Sequence, residues 1–244
     1  TFRGGEQSLD FSGIDLIFRS PGIRPDWPEL VSFTKNGGEV TTAIGYFMEH
    51  VPCPTIGVTG TKGKGTTATL IYEILKAAGR DVYLGGNIGL SPLDFLDRLT
   101  ANSFAVLELS SFQLMDLTRS PNIAVILNVT SEHLDYHRDT EEYILAKAHI
   151  VRYQGVSDLA IAHVDYPQSR RILESAPGQK FGYSIEQKLG EGVYLSGDEI
   201  VWSGGGRSQL LAHVGDLRLR GRHNVSNACA ARAVGQSVGV SPAI

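Results

Sequence analysis

The sequence predicts an α/β fold: a mostly parallel sheet flanked by helices, with a small antiparallel subsheet towards the C-terminal end. Short apolar runs alternate with helical patterns, which is what a parallel sheet with crossover helices requires. Several of these runs are apolar at nearly every position, as in strands covered on both faces. One of them, residues 55–59, leads directly into a glycine-rich turn and an amphipathic helix.

Taken in order, residues 14–19 are the first predicted strand, ending in Ser20-Pro21-Gly22-Ile23, and residues 39–50 form a strand–helix unit. Val51-Pro52-Cys53-Pro54 reads as a connector, because two prolines cannot extend a central strand. Further strands are predicted at residues 55–59, 104–109, 124–129 and 159–163. The clearest helix follows Lys64: Leu70, Ile71, Ile74, Leu75 and Ala78 fall on one face, and Gly79 stops it. A second helix covers residues 140–154, with Asp139 or Thr140 as its N-cap. Residues 181–184, 193–196, 199–202 and 210–214 read as short antiparallel strands, with a tight turn at Gly197-Asp198. A last helix, residues 225–238, returns the chain to the α/β body.

Composition excludes several classes of protein. Charged residues make up 20% and apolar residues 42%, enough to bury a core. The 22 Lys+Arg against 26 Asp+Glu give a net charge of −4, with no bulk attraction to nucleic acid or anionic membrane. No apolar run approaches the roughly 20 residues of a membrane span. The first residues do not read as a signal peptide. Cys53 and Cys229 show no metal-binding or redox spacing and read as two reduced thiols in a cytosolic protein. The 28 glycines cluster, and their clusters carry the chemistry.

The first cluster is Gly60-Thr61-Lys62-Gly63-Lys64-Gly65-Thr66-Thr67, between a strand and a helix. A triphosphate needs backbone N–H groups that close around its oxygens. Glycines allow that approach, the helix N-terminus adds a positive field, and a lysine neutralises the β- and γ-phosphates. The spacing departs from the usual P-loop. Gly60 lies three residues before Gly63 instead of five, and Gly65 stands where a Ser/Thr normally holds Mg²⁺. Thr66 and Thr67 are the available hydroxyls. A merely tight strand–helix turn would leave Lys64, set among these glycines, without a purpose.

Glu108 ends an apolar run, where ligands of open α/β sheets bind and where a carboxylate reaches a phosphate-bound Mg²⁺. His133, after the next strand, falls on the same rim; by itself it reads rather as a surface loop residue. Lys147 lies on the inward stripe of its helix with Tyr143, Ile144, Ile150 and Val151. It either snorkels past the core or is aimed at a site. Asp135, His137, His149 and His163 read as solvated or satisfied residues.

Taken together, these motifs resemble the Mur ligase superfamily of ATP-dependent amide ligases. The shared segments are Ser20-Pro21-Gly22-Ile23, the loop 60–67, Gly85-Gly86-Asn87-Ile88-Gly89, and Glu108-Leu109-Ser110-Ser111-Phe112-Gln113-Leu114. Asn128-Val129-Thr130 with His133-Leu134-Asp135, then Lys147, then Gly221-Arg222-His223-Asn224 with Asn227-Ala228, complete the set. The segment from Glu108 to Leu114 is the most specific, and points to the branch that joins D-glutamate to UDP-N-acetylmuramoyl-L-alanine.

The resemblance implies roles residue by residue. Gly60, Thr61, Lys62, Gly63, Lys64, Gly65, Thr66 and Thr67 would hold ATP, with Asn224 and Asn227 against the adenine. Gly22, Asn87 and Ser110 would contact the UDP-sugar substrate. Two Mg²⁺ ions are implied, with Thr66, Glu108, His133 and a carbamylated Lys147 as ligands. Lys64, His133 and Lys147 would be the catalytic set. Residues 1–50 would be the C-terminal part of a Rossmann-like UDP-sugar-binding domain, and 51–244 the P-loop-type central domain. A further C-terminal domain of the family is absent from this sequence, so the expectation is an incomplete chain, ligating nothing alone. A cytoplasmic monomer of peptidoglycan precursor synthesis is implied, with no nucleic-acid or membrane partner. Gly65 is the one feature that favours the related folylpolyglutamate synthase branch; a non-catalytic ATP-binding module is the non-enzyme alternative.

The implied reaction begins when the substrate carboxylate attacks the γ-phosphate, with Lys64 and metals stabilising the developing charge. The amine of D-glutamate then attacks the acyl phosphate, and a tetrahedral intermediate collapses to amide and phosphate. No protein nucleophile is required: Ser110 and Ser111 lack the base arrangement that would activate them.

Overall fold

The computed structural model describes residues 11–130 and 137–244. The chain opens with β1 (Leu16–Phe18), α1 (Pro28–Lys35), β2 (Glu39–Thr41) and α2 (Ala43–His50). β1 and β2 pair in parallel, with α1 as the crossover. The main body follows: β3 (Thr55–Thr59), α3 (Lys64–Ala77), β4 (Val82–Gly86), β5 (Phe104–Glu108), α4 (Ser111–Leu114), β6 (Ile123–Ile126), α5 (Thr140–Arg152) and β7 (Leu159–His163). After it come α6 (Pro167–Ser175), β8 (Gln179–Ser184), β9 (Gly192–Ser196), β10 (Glu199–Gly204), β11 (Arg207–His213) and α7 (Arg222–Ser237).

Among the described residues, one sheet of nine strands runs in the order β11-β10-β9-β8-β7-β6-β3-β5-β4. Its strands alternate side chains between two cores. Ile56, Val58, Val106, Val125 and Ile161 face α3 and α7. Ala105, Leu107, Ala124, Ile126, Ala160 and Ala162 face α5, α6 and α2. All are buried, so the near-continuous apolar strands are those of a sheet sandwiched between helices. Each fully buried Leu or Ile contributes about 1.5–3 kcal/mol. Small residues on α7, including Ala228, Ala230, Ala231 and Gly235, let it lie close to α3; a Cβ on Gly235 would stand 3.3 Å from Ile74. From α2, Ile44, Phe47 and Met48 enter the core beneath β5, with Phe95, Leu114 and Leu117.

The strands at 55–59 and 159–163 form with the predicted bounds, and those at 104 and 124 lie within a residue or three of them. The first strand is shorter, three residues in place of six. One orientation is corrected. Residues 181–184 lie in β8, which is parallel to both β7 and β9, not antiparallel. The helical crossover α6 delivers β8 alongside β7 in the same direction, as such crossovers do. Antiparallel pairing begins at β9 and β10, joined through Gly197 and Asp198, and continues to β11. This ribbon extends the main sheet.

Candidate active site

The site grows from the carboxyl end of β3. Gly60 has φ +156°, and a Cβ there would lie 2.7 Å from that of Leu127. Gly63 has φ +87° and is the N-cap of α3; a Cβ there would stand 2.5 Å from Asn227 Oδ1. Both positions therefore require glycine. Between them Thr61 is pinned: its N–H donates to Asn128 O at 2.7 Å, and its hydroxyl accepts from Thr130 N at 2.9 Å and meets Tyr143 Oη at 3.2 Å. The first N–H groups of α3, from Lys64 to Thr66, open at the helix N-terminus, where an anion is favoured.

Two lysines converge on one carbonyl. Lys64 Nζ donates to Gly60 O at 3.2 Å and to Thr61 O at 3.0 Å. Lys147 Nζ donates to the same Gly60 O at 2.9 Å, lies 3.4 Å from Thr59 Oγ1 and sits 4.6 Å from the Tyr143 ring centre. Lys147 is 1% exposed, so its place on the inward stripe of α5 brings it under the loop.

Opposite them, Glu108 stands at the end of β5, paired with Val58 of β3. It is buried, and Asn87 Nδ2 donates to its Oε1 at 3.3 Å. Its Oε2 is buried without a hydrogen-bond partner among the described residues and would lie 3.3 Å from a Cβ on Gly65. Gly86, at φ +102°, is packed against the Glu108 carbonyl too closely for any side chain, and Asn87 N donates to that carbonyl at 2.9 Å. Thus Lys64, Gly65 and Glu108 share one rim.

Ser110 caps α4: its hydroxyl accepts from Gln113 N, and Gln113 Oε1 accepts from Ser110 N and Oγ. Gly22 lies exposed in the turn after β1. Thr66 is half-buried in the first turn of α3, whereas Thr67 is fully buried with its hydroxyl unpartnered among the described residues. His133 and Asp135 lie outside the described residues.

Beside the loop, Lys62, Gly63, Asn128, His163, Arg222 and Asn227 border a cavity of about 400 Å³. Asn227 Nδ2 donates to Asn224 Oδ1 at 3.2 Å, and Asn224 Nδ2 to Arg220 O at 2.8 Å, so Asn224 stands behind Asn227 and holds it in the wall without lining the cavity itself. A cavity of about 470 Å³ beside Phe11, Asp15, Glu29 and Phe33 has carboxylates and, among the described residues, no cation in its walls, which suits no polyanion.

Of the histidines read as solvated or satisfied, two are buried against polar and aromatic neighbours. His163 is buried at the end of β7 in the cavity wall, 3.5 Å from Asp165 and against the Tyr166 and Tyr183 rings. Burial pushes its pKa down, and Asp165 and Glu186 only partly offset this, so the environment favours the neutral imidazole. Its position at a strand's carboxyl end, the rule that singles out Glu108, was the available signal. His137 is buried too, 2.9 Å from Ser111 Oγ and stacked on Phe112. Nothing in its local sequence distinguishes it.

Fold and site together define a class: an α/β unit with a phosphate-binding loop and an acidic residue at the sheet's carboxyl edge. The family model of the Mur ligase middle domain matches residues 58–235, and the chain belongs to the Mur ligase family. A UDP-N-acetylmuramoylalanine–D-glutamate ligase of Acetivibrio thermocellus is 41% identical over 230 residues, covering 94% of this chain and 49% of that protein. The enzyme of the same name from Clostridium kluyveri is 40% identical over 228 residues, with 93% and 49% covered. The chain thus spans about half the length of these curated relatives. Among solved structures, a UDP-N-acetylmuramate:L-alanyl-gamma-D-glutamyl-meso-diaminopimelate ligase from Neisseria meningitides superposes with TM-score 0.64 at 19% identity, covering 93% of this chain and 75% of that one. MurF ligase from Thermotoga maritima, in complex with ADP, gives TM-score 0.59 at 17% identity, covering 96% and 63%. These two share the fold.

Proposed function

We propose that this chain is the nucleotide-binding, carboxylate-activating part of an enzyme that joins D-glutamate to UDP-N-acetylmuramoyl-L-alanine at the expense of ATP, in cytoplasmic peptidoglycan precursor synthesis. Residues 51–244 are the central ATP-binding domain and 1–50 belong to the UDP-sugar-binding domain. The observation that carries this reading is the rim itself: Lys64 and the first turn of α3 on one side of Gly65, and on the other Glu108 Oε2, unpartnered among the described residues.

In this reading Lys64 releases its two loop carbonyls to hold the phosphates of ATP, and the N–H groups of residues 64–66 close on them. Asn227, held by Asn224, walls the adenine, and Gly22, Asn87 and Ser110 meet the UDP-sugar. The substrate carboxylate attacks the γ-phosphate and ADP leaves; the amine of D-glutamate then attacks the acyl phosphate, losing a proton as the amide forms and phosphate departs. Glu108 fits a Mg²⁺ ion, since a buried carboxylate oxygen without a partner among the described residues is a hard donor, and Thr66 offers a hydroxyl nearby. Bound there, Mg²⁺ would neutralise phosphate charge. His133 and Lys147 complete a second site in this reading, with Lys147 carbamylated: the added carboxylate exchanges a buried cation for an oxygen donor.

The test is phosphate release by the complete protein. ATP, UDP-N-acetylmuramoyl-L-alanine and D-glutamate together should give it, and omission of either acceptor should stop amide formation. Turnover with a folate and L-glutamate, without turnover of the UDP-sugar, overturns the assignment.

A further inference from the structure

Residues 20–24 are fastened at both ends. On one side the buried Arg19 donates to Ser20 O and Ile23 O and pairs with Asp116 at 2.5 Å, just beyond α4. On the other, Arg24 grips Glu142 of α5 with both terminal nitrogens, at 3.1 and 3.5 Å, and Asp26 at 3.0 and 3.2 Å. Arg138 closes the ring, donating to Asp26 Oδ2 at 2.7 Å and, through its backbone N–H, to Glu142 Oε2 at 2.6 Å.

Glu142 is the node of this ring. It lies in the first turn of α5, where Asp139 caps its N–H at 2.8 Å and the helix favours an acidic side chain. Its Oε2 is 3.7 Å from His137 Nδ1, and His137 Nε2 meets Ser111 Oγ at 2.9 Å. The next residue, Tyr143, reaches Thr61 in the phosphate loop. One carboxylate therefore joins the turn after β1 to the helix that carries both Lys147 and Tyr143.

We propose that Glu142 is a positioning residue: the Arg24–Glu142 clasp fixes the distance between the residue 20–24 turn and the phosphate loop. The inference rests on the proposed function for its consequence, since the turn is there the sugar-nucleotide side and the loop the ATP side. Attack in line demands that the two be held to within fractions of an ångström. Both members of the clasp are partly exposed, with side chains 26% and 21% accessible, and such pairs contribute little to stability. Orientation is what they supply.

The experiment uses the complete protein with Glu142→Gln, Arg24→Gln and both together. The clasp predicts that KM for the UDP-sugar rises about five-fold or more, equally in the single and double variants, because each removes the same contact. KM for ATP and the melting temperature should stay near the parent values. Unchanged KM for the UDP-sugar, additive losses, or an equal rise in KM for ATP overturns the proposal. Hydrogen exchange gives a readout independent of activity: the amides of residues 20 and 22–24 should exchange faster in both variants while those of 60–67 do not. Unchanged exchange in the turn overturns the clasp; faster exchange in a protein that turns over no UDP-sugar leaves the clasp standing and refutes the assigned function.

Discussion

The carboxylate of Glu108 lies over Gly65, so close that a Cβ on the glycine would stand 3.3 Å from Oε2. The pairing of Val58 with Glu108 sets this approach, because it brings the ends of β3 and β5 level at the mouth of the loop. Gly65 occupies the position where a phosphate loop usually carries a hydroxyl. Here the space goes to the acid.

A bulky residue at 65 should therefore separate metal from nucleotide. Gly65→Val should push Glu108 aside and lower the affinity of the complete protein for Mg²⁺-ATP at least tenfold more than for metal-free ATP. The fold should hold, since even β-branched valine has a higher helix propensity than glycine, by a few tenths of a kcal/mol. Calorimetric titration with and without Mg²⁺ checks this, and an unchanged ratio of affinities counts against Glu108 as a cation ligand.

Gly63→Ala tests the loop geometry. With φ at +87° and the new Cβ 2.5 Å from Asn227 Oδ1, the substitution strains the backbone and displaces an asparagine. A loss of about 1–3 kcal/mol in urea unfolding is expected. Gly79→Ala, at φ +73° but with nothing within 4 Å, should cost less.

Both thiols should be inert in the folded protein. Burial pushes Cys53 up to about 11 and Cys229 up to about 12, so almost no thiolate exists at pH 8. Reagent labelling should require denaturant; rapid labelling of either cysteine in the native state contradicts the packing around α7 or the 51–54 connector.

Stability should fall with pH in two stages. Buried His163 has a lowered pKa, so the unfolded chain takes up its proton first and stability declines as pH drops below about 6.5. Hydrogen bonds from Arg24 lower the pKa values of Glu142 and Asp26. Their contribution is complete above the usual carboxylate range, near about 4, and is lost as pH falls through the lowered folded values. Denaturant midpoints from pH 8 to pH 3 should show the first decline clearly and only a small second one, since the Arg24 cluster is partly exposed. His163→Asn should shrink the first decline, leaving the share of His149, whose pKa burial also lowers.

Much of this architecture is legible in the residues. Wholly apolar strands, the lysine loop, Asp139 as the cap of α5 and the inward Lys147 each carry a local chemical reason. What escaped has a reason too. β4 is only half-buried and ends in Gly85-Gly86, so no apolar run marks it; its partner β5 makes it a strand. The direction of β8 depends on how α6 crosses the sheet, and a six-residue strand reads the same both ways. Pro28 and Pro167, each at the first turn of a short helix, were usable signals for α1 and α6. The Arg24–Glu142 contact spans 118 residues, beyond any local pattern.

The most direct test of the phosphate cradle is ATP affinity in the complete protein carrying Lys64→Ala. The cradle predicts a loss of at least about a hundredfold, close to 3 kcal/mol, with the circular dichroism spectrum unchanged. ATP bound by the variant as tightly as by the parent would contradict it.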